Sequence, residues 1–337
     1  MMINISVICP ILNEEKYIKE CIESLLKQDY PTEQLEIIFI DGCSSDNTLK
    51  VIQSYTEKYE FIKILYNPEQ HVPTALNIGI KNSTGEYIAR IDAHSNYPSN
   101  YLSKLYSLSK QFDIDNIGGV ISTKPCNPTI IAHTIAYALS SQFGMGNSYF
   151  RVGVKNIRKV DTVPFGFFKR NIFDKIGLFD EDLTRNQDDE FNSRIIKHGG
   201  NIYLVPDIII DYYPRDSIKK ICSMFYQYGL FKPLVNLKLK TTTSLRQLIP
   251  PTFVLGLILG LVLSFTSPIF LYLYISCIFI YLSLALLVSI KAHIKNKKNY
   301  IFLPLIFLCI HLSYGSGYLI GIMKIIFNKK FHVKNKR

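Results

Sequence analysis

Glu86-Tyr-Ile-Ala-Arg-Ile-Asp92 is a short apolar run that ends on a carboxylate, and Glu36-Ile-Ile-Phe-Ile-Asp41 is a second run of the same kind. A buried strand with an aspartate at its C-terminal end delivers that aspartate to the crevice where open α/β sheets bind ligands. Two such strands, each followed by small or polar residues, predict a nucleotide site with a metal ion. The alternative is that each aspartate only caps the turn that follows its strand.

Strands and helices alternate around these two runs. Strand-like segments also cover residues 5–9 and 61–66, and apolar residues recur at helical spacing in 14–27. The alternation predicts an α/β domain with a mostly parallel central sheet and right-handed crossovers. Beyond residue 96 the pattern is less regular, and residues 127–161 are expected to form a loop over a site.

The whole net charge of +11 lies in the C-terminal part of the chain. From Arg246 to Arg337 there are eleven basic residues and no acidic one, so the 27 remaining basic residues balance the 27 acidic residues before them. A nucleic-acid-binding domain needs a basic face, and residues 1–245 are formally neutral. The sequence therefore predicts no nucleic-acid partner.

Long apolar stretches separate the lysines of this tail. Residues 248–267 and 268–290 are uncharged, and each is long enough to cross a hydrocarbon core about 30 Å thick. Both flanks are basic, which places them in the cytoplasm by the positive-inside rule. Residues 301–323 are a third candidate whose full crossing stays open, because the lysine-rich end would then lie outside. His311 within it is expected to form a helix-packing hydrogen bond.

Several motifs of the first 100 residues carry a family resemblance. They are Ser6-Val-Ile-Cys-Pro10 with Asn13-Glu14, Asp41-Gly-Cys-Ser-Ser-Asp46-Asn-Thr48, Ala75-Leu-Asn-Ile-Gly79 and Arg90-Ile-Asp-Ala-His-Ser95. Together they resemble family 2 glycosyltransferases of the GT-A fold, and most of all the bacterial membrane glycosyltransferases of the succinoglycan-synthesis type.

The resemblance implies a division of the chain. Residues 1–216 would be a cytoplasmic GT-A catalytic domain, and residues 217–246 would be amphipathic helices at the lipid surface. Residues 247–327 would form an all-α membrane segment with two or three spans, followed by a basic tail at 328–337. The setting would be a bacterial-type inner (plasma) membrane.

The resemblance also implies a donor pocket. Asp41 would contact the base or ribose of a nucleotide-diphosphate sugar, with a UDP-sugar favoured. The other residues predicted to bind the nucleotide sugar are Pro10, Asn13, Glu14, Asp46, Asn77, Asp92 and Gly166. For Gly166 the alternative is an ordinary strand glycine.

Asp92 stands at the start of the family's Asp-x-Asp motif, which holds Mg²⁺ or Mn²⁺ against the diphosphate. This chain departs from the pattern, since His94 occupies the position of the second aspartate. A neutral imidazole is still a ligand for Mn²⁺. The alternative is that His94 only touches a phosphate.

Gln187-Asp188 falls on the family's Glu-Asp pair, and Asp188 would be the general base that takes the acceptor proton. Gln187, Asp189 and Glu190 would lie on the acceptor side. Independently of the resemblance, like charges from Asp182, Asp189 and Glu190 would make Asp188 a stronger base. The alternative is a solvated acidic helix start, which the helix dipole favours.

These features predict an inverting, metal-dependent hexosyltransferase that moves a sugar to a polyprenyl-linked saccharide in surface or exopolysaccharide synthesis. The chain has no tryptophan and so lacks the Gln-x-x-Arg-Trp motif of processive synthases, which favours a single addition. Two alternatives stay open, a nucleotidyltransferase-like enzyme and a non-catalytic membrane scaffold that retains the fold. Residues 10–15 lack the glycine- and basic-rich loop that the first alternative needs.

Overall fold

The computed structural model describes residues 3–242 and 244–331. Its strands, in chain order, are β1 Ile5–Ile11, β2 Leu35–Asp41, β3 Ile62–Tyr66, β4 Tyr87–Arg90, β5 Ser95–Asn96, β6 Asn116–Thr123, β7 Arg158–Lys159, β8 Phe167–Lys169 and β9 Ile202–Tyr212. Its α-helices are α1 Ile18–Leu26, α2 Thr48–Thr56, α3 Val72–Lys81, α4 Tyr101–Phe112, α5 Ile130–Leu139, α6 Gln142–Met145, α7 Tyr149–Val152, α8 Asn171–Ile176, α9 Gln187–Lys197, α10 Ile218–Leu239, α11 Ile249–Ser264, α12 Pro268–Asn296 and α13 Leu303–Ile326.

All nine strands described belong to one mixed sheet. Eight follow the order β3-β2-β1-β4-β8-β6-β9-β5, and β7 pairs with β9. The strands β3, β2, β1 and β4 are parallel, as predicted, because α-helical crossovers connect them. The pairs β4–β8, β6–β8, β5–β9 and β7–β9 are antiparallel, so the prediction of a mostly parallel sheet holds for the first four strands only.

The parallel half of the sheet is buried throughout its centre. Every residue of β2 is buried, and Val7 and Ile8 of β1 are fully enclosed. Strands covered on both faces have continuous apolar sequences, which is why the strand ending at Asp41 could be predicted from the sequence. This packing fixes where each strand ends, and so where the side chains beyond it lie.

The chain divides into two compact units. One contains residues 3–122 and 153–212, and the other contains residues 123–152 with the described residues from 213 on. The expected loop over 127–161 is wrong in part, since α5, α6 and α7 occupy much of it. The apolar α5 begins at a Thr129 cap, whose side chain accepts a hydrogen bond from the N–H of Ala132.

The second unit holds three helical segments long and apolar enough to cross a membrane: Leu245–Ser264, Pro268–Asn296 and Leu303–Ile326. The helix α10 packs along the last of them, α13. A Cβ at Gly317 would lie 2.2 Å from the carbonyl oxygen of Tyr226, so only glycine permits this approach.

His311 of α13 makes the helix-packing contact expected of it. Its Nδ1 lies 2.8 Å from the hydroxyl of Tyr281, and its Nε2 lies 3.1 Å from the carbonyl oxygen of Phe143. A carbonyl only accepts, so Nε2 carries the proton and the tyrosine hydroxyl donates to Nδ1.

Candidate functional site

The carboxyl ends of β1, β2 and β4 meet at one edge of the sheet. Ile11 pairs with Asp41 at the end of β2, and Ile8 pairs with Arg90 at the end of β4. Asp92 follows two residues after Arg90. The two aspartates that the sequence singled out therefore project from the same edge, where α/β sheets bind ligands.

Asp41 is 1% exposed and caps the turn after β2. Its carboxylate accepts hydrogen bonds from the hydroxyl of Ser44 at 2.6 Å and from the N–H of Ser44 at 3.1 Å. Cys43 within this turn has a φ of +61°. The turn-capping alternative is thus realised at Asp41, and a nucleotide contact by the same carboxylate stays a prediction.

The loops after β1 and β2 are joined by side chains. Asn13 accepts a hydrogen bond from the N–H of Ser45 at 2.8 Å, and its own N–H donates to the hydroxyl of Ser44 at 3.0 Å. Pro10 lies half-buried in β1 just before this loop. Both residues therefore lie near the end of β2 that carries Asp41, and their contact with a nucleotide sugar stays a prediction.

Asp46 caps the start of α2. Its carboxylate accepts from the N–H of Thr48 at 3.0 Å, and the N–H of Glu15 donates to its other oxygen at 3.2 Å. Partial burial would raise the pKa of this carboxyl, but the hydrogen bonds from Thr48 and Glu15 outweigh it and lower the pKa. Asp46 therefore stays ionised and joins the loops after β1 and β2, and a nucleotide contact by it stays a prediction.

Glu14, Asp92 and His94 form a cluster in which one ligand atom of each lies within 4.8 Å of the others. The Nδ1 atom of His94 is 2.7 Å from Oδ1 of Asp92 and 3.6 Å from Oε1 of Glu14. The aromatic rings of Tyr17 and Tyr212 flank the imidazole. The sequence predicted Asp92 and His94 as metal ligands, and the structure adds Glu14 from the β1–α1 loop.

The charges of this cluster are coupled. Burial lowers the pKa of His94, but the carboxylate of Asp92 more than offsets it and raises the pKa to about 9. Burial likewise raises the pKa of Asp92, but the charge and hydrogen bonds of His94, together with the charge of Arg90, outweigh burial and lower that pKa. The backbone N–H of Asp92 donates to the hydroxyl of Tyr97 at 2.7 Å, which fixes the main chain under the cluster.

Asp188 lies in the first turn of α9, after Asn186 with a φ of +61°. Its Oδ1 forms an ion pair with Nη1 of Arg90, a residue to which the sequence gave no role. The structure thus places a cation beside the Asp188 carboxylate, whereas the sequence predicted neighbouring carboxylates there. No local pattern signals a pair 98 positions apart.

The other acceptor-side residues differ in surroundings. Gln187 is buried, and Asp189 is half-buried. Glu190 is 4% exposed and binds Arg194 through both oxygens, at 2.6 and 2.9 Å. Because this pair is one helical turn apart and enclosed, Glu190 stabilises α9, and its carboxylate is already occupied.

Asn77 has its side-chain amide occupied within the protein. Its Nδ2 donates to the carbonyl of Phe179 at 2.9 Å and to Glu181 at 2.7 Å, and its Oδ1 accepts from the N–H of Phe179 at 3.0 Å. Asn77 therefore anchors the segment that leads to α9. Its predicted contact with the nucleotide sugar would have to replace these bonds.

Gly166 is required by protein packing. A Cβ there would lie 2.4 Å from the ring of Phe168 and 2.5 Å from Oδ1 of Asn116. Its carbonyl accepts the N–H of Arg90 at 2.9 Å. The strand-glycine alternative is thus sufficient to explain Gly166, and contact with a substrate stays a prediction.

A mixed sheet with carboxylates at its carboxyl edge and three apolar helices after it is the architecture expected of a GT-A glycosyltransferase with a helical tail. A family model described as "Glycosyl transferase family 2" matches residues 6–177. The chain belongs to this family, as the resemblance of its motifs predicted.

Relatives agree with this assignment. The chain is 31% identical over 329 residues to a dolichyl N-acetyl-alpha-D-glucosaminyl phosphate 3-beta-D-2,3-diacetamido-2,3-dideoxy-beta-D-glucuronosyltransferase of Methanococcus voltae, covering 95% of this chain and 97% of that protein. It is 25% identical to the succinoglycan biosynthesis protein ExoA of Rhizobium meliloti, covering 72% and 73%. A mannosyltransferase of Pyrobaculum calidifontis, solved with GDP-Man and Mn²⁺, superposes with a TM-score of 0.56 at 16% identity, covering 98% and 88%. This last likeness shows the fold.

Proposed function

We propose that this glycosyltransferase is inverting and cation-dependent, and that it transfers a sugar from a nucleoside-diphosphate donor to a lipid-linked saccharide. The observation that carries the proposal is the cluster of Glu14, Asp92 and His94 at the carboxyl edge of the sheet. An Asp188 carboxylate beside Arg90, in the same compact unit, supplies the second chemical group that the reaction needs.

The donor atoms of the cluster fit a divalent cation. Two carboxylate oxygens and one imidazole nitrogen suit Mn²⁺, and carboxylates alone suit Mg²⁺. All three side chains are at least three-quarters buried, yet their ligand atoms converge within 4.8 Å. Buried clusters of ionisable groups are common at functional sites, which supports this placement of a cation. The cation would replace the proton on Nδ1 of His94, since a ligand imidazole must be neutral.

A bound cation supplies positive charge that offsets the charge developing on the leaving diphosphate. Glu14, Asp92 and His94 would hold it, with Asp92 fixed by its backbone bond to Tyr97. The loops that Asn13 and Asp41 join would receive the nucleoside, a UDP-sugar in the first instance. In this arrangement the loops of Asn13 and Asp41 would bind the nucleoside, and the cation cluster would bind the diphosphate.

Asp188 would act as the base. The acceptor O–H would lose its proton to the Asp188 carboxylate as the acceptor oxygen bonds to the anomeric carbon. The bond from that carbon to the diphosphate oxygen breaks, and its electron pair leaves with the diphosphate. Attack opposite the leaving group inverts the anomeric centre, and general base catalysis of this kind contributes about 10²–10⁴-fold.

The acceptor class is inferred from the tail and from relatives. Three helices able to cross a membrane would keep the enzyme at the bilayer, where a polyprenyl-linked saccharide resides. The name of the Methanococcus voltae relative specifies a dolichyl phosphate sugar as its acceptor, and that of the Rhizobium meliloti relative specifies succinoglycan synthesis. The basic residues beside the first two helices favour a cytoplasmic catalytic domain.

A donor panel tests the proposal. The full chain in lipid nanodiscs is incubated with Mn²⁺, polyprenyl-linked saccharides and a set of UDP- and GDP-sugars, and products are followed by mass spectrometry. We expect one donor to give a glycosylated lipid, and Asp188→Asn to lower this transfer by at least about 10²-fold. Transfer by Asp188→Asn at the wild-type rate would place the base elsewhere.

A further inference from the structure

Arg90 is a buried cation at the end of β4. The residue is 8% exposed, and its Nη1 pairs with Oδ1 of Asp188. Its Nε is also buried and makes no hydrogen bond within residues 3–242 and 244–331. The guanidinium is thus only partly satisfied, although it stays charged at every ordinary pH.

This arrangement is expensive if its purpose is only packing. Replacing a buried ion pair with apolar side chains of similar volume is often neutral or stabilising, whereas removing one partner is strongly destabilising. The buried ion pair of Arg90 and Asp188 therefore calls for an explanation beyond stability. The position of Arg90, two residues before Asp92 and in contact with Asp188, supplies one.

Arg90 and Asp188 differ in their exposure to solvent. The backbone of Arg90 is held on both sides, because β4 pairs with β1 and the N–H of Arg90 donates to the carbonyl of Gly166 at 2.9 Å. The Asp188 side chain is 35% exposed. A rigid buried cation therefore holds one carboxylate oxygen while the side chain keeps access to solvent.

We propose that Arg90 is a positioning residue for the transfer step, holding one oxygen of Asp188 so that the other faces the acceptor hydroxyl. This inference rests on the proposed function, in which Asp188 is the base. The acceptor proton goes to the oxygen that Arg90 does not hold, as the glycosidic bond forms and the diphosphate leaves. Arg90 itself takes no proton and touches neither substrate.

Kinetics of Arg90 variants test this role in the full chain in nanodiscs, using the nucleotide sugar and lipid acceptor that the donor panel identifies. We expect Arg90→Met to lower kcat about 10²-fold, the cost of a misplaced catalytic group, with the donor KM within about twofold of wild type. Arg90→Lys should recover part of kcat, since it restores the charge without the planar fork.

Arg170→Met is the matched control. Arg170 is also partly enclosed, donates to the hydroxyl of Ser83 at 2.8 Å and binds the carbonyl of Gly85, and lies at the opposite end of β4. Its loss should lower thermal stability and leave kcat of the folded protein unchanged. Equal losses of kcat in both variants would overturn the proposal, because they would mark a general structural effect.

A double variant separates Arg90 from Asp188. Asp188→Asn leaves a buried guanidinium with a weaker partner and should lower the melting temperature, which the double variant Arg90→Met/Asp188→Asn should recover. In the Asp188→Asn background, Arg90→Met should reduce the residual kcat by no more than about twofold, because the two residues act as one unit.

Three further results would contradict the inference. If folded Arg90→Met kept the wild-type kcat, Arg90 would not position Asp188. If the variant instead had a raised donor KM at unchanged kcat, Arg90 would be a donor-binding residue. If the fold-losses of kcat in the two single variants multiplied in the double variant, Arg90 and Asp188 would act independently. Normal turnover by Asp188→Asn would overturn the proposed base itself, and so is distinguishable from a failure of Arg90 alone.

Discussion

The imidazole Nδ1 of His94 lies 2.7 Å from Oδ1 of Asp92. His94 occupies the position at which the family motif has its second aspartate. Glu14, from a different loop, places an oxygen 3.6 Å from the same nitrogen. The chain therefore offers two carboxylates and an imidazole at the proposed cation site. The consequences for the choice of cation can be measured.

We expect His94→Asp to shift cation preference toward Mg²⁺. An all-oxygen donor set suits Mg²⁺, whereas an imidazole favours transition metals such as Mn²⁺. The ratio of the Mg²⁺ to the Mn²⁺ dissociation constant should fall about tenfold, measured by electron paramagnetic resonance of free Mn²⁺ under competition. His198→Asp is the control, because this exposed histidine ends α9 outside the cluster. An unchanged ratio would remove His94 from the ligand set.

We expect Glu14→Gln to weaken Mn²⁺ binding about tenfold, because it removes one charged ligand. Calorimetric titration with MnCl₂ measures the change. Glu15→Gln is the matched control, since Glu15 is exposed and binds the side chain of Asn47 at 2.6 Å. If Glu14 instead only contacts the nucleotide, Mn²⁺ affinity will stay constant and UDP affinity without metal will fall.

Asn77→Ala distinguishes anchoring from donor binding. The variant loses three hydrogen bonds to the segment 179–181 and leaves buried backbone groups of Phe179 unpaired, which costs about 1–3 kcal/mol per group. We expect a lower melting temperature of the full chain and UDP affinity within about twofold of wild type in the folded protein. A large loss of UDP affinity at unchanged stability would instead support the predicted nucleotide contact.

Glu36 makes stability depend on pH in the acid range. Burial raises the pKa of this carboxyl, but hydrogen bonds from the Thr84 backbone, Ser6 and Lys63 outweigh it and lower the pKa below its ordinary value. A lowered folded pKa means that the stabilisation is present above about pH 4.5 and is lost as the pH falls through the folded pKa.

We therefore expect Glu36→Gln to lower the melting temperature at pH 7 and to differ less from wild type below about pH 4. Glu60→Gln, at an exposed turn, is the control, and its melting temperature should match that of the wild type at both pH values. A difference that stays constant from pH 7 to pH 4 would contradict the role of the Glu36 charge.

The parallel half of the fold was predictable from the sequence because its signals are local. The strand that ends at Asp41 is a continuous apolar run, and α1 repeats apolar residues at helical spacing. The antiparallel half was not, since β5 has two residues, β8 has three, and their partners are distant in the chain. The helices in 130–152 were missed because apolar and glycine residues there also suit a loop.

In the candidate site, too, contacts between residues close in the sequence were predictable and contacts between distant residues were not. Asp92 and His94 are two positions apart and belong to one motif, so the sequence predicted that they act together. Glu14 reaches them across 78 positions, and Arg90 reaches Asp188 across 98. Such pairings are set by the packing of strands and helices and leave no mark in local sequence.

The central claim is that Glu14, Asp92 and His94 hold a divalent cation. Comparing the metal dependence of nucleotide binding in the wild type and in Asp92→Ala tests this claim most directly. Wild-type protein in nanodiscs is titrated calorimetrically with UDP and with GDP, each with Mn²⁺ and with EDTA. We predict that one nucleotide binds at least about tenfold more tightly with Mn²⁺, and that Asp92→Ala removes this gain in protein that circular dichroism shows to be folded. Nucleotide binding that is equally tight with EDTA, or unchanged in Asp92→Ala, would contradict a cation site at Glu14, Asp92 and His94.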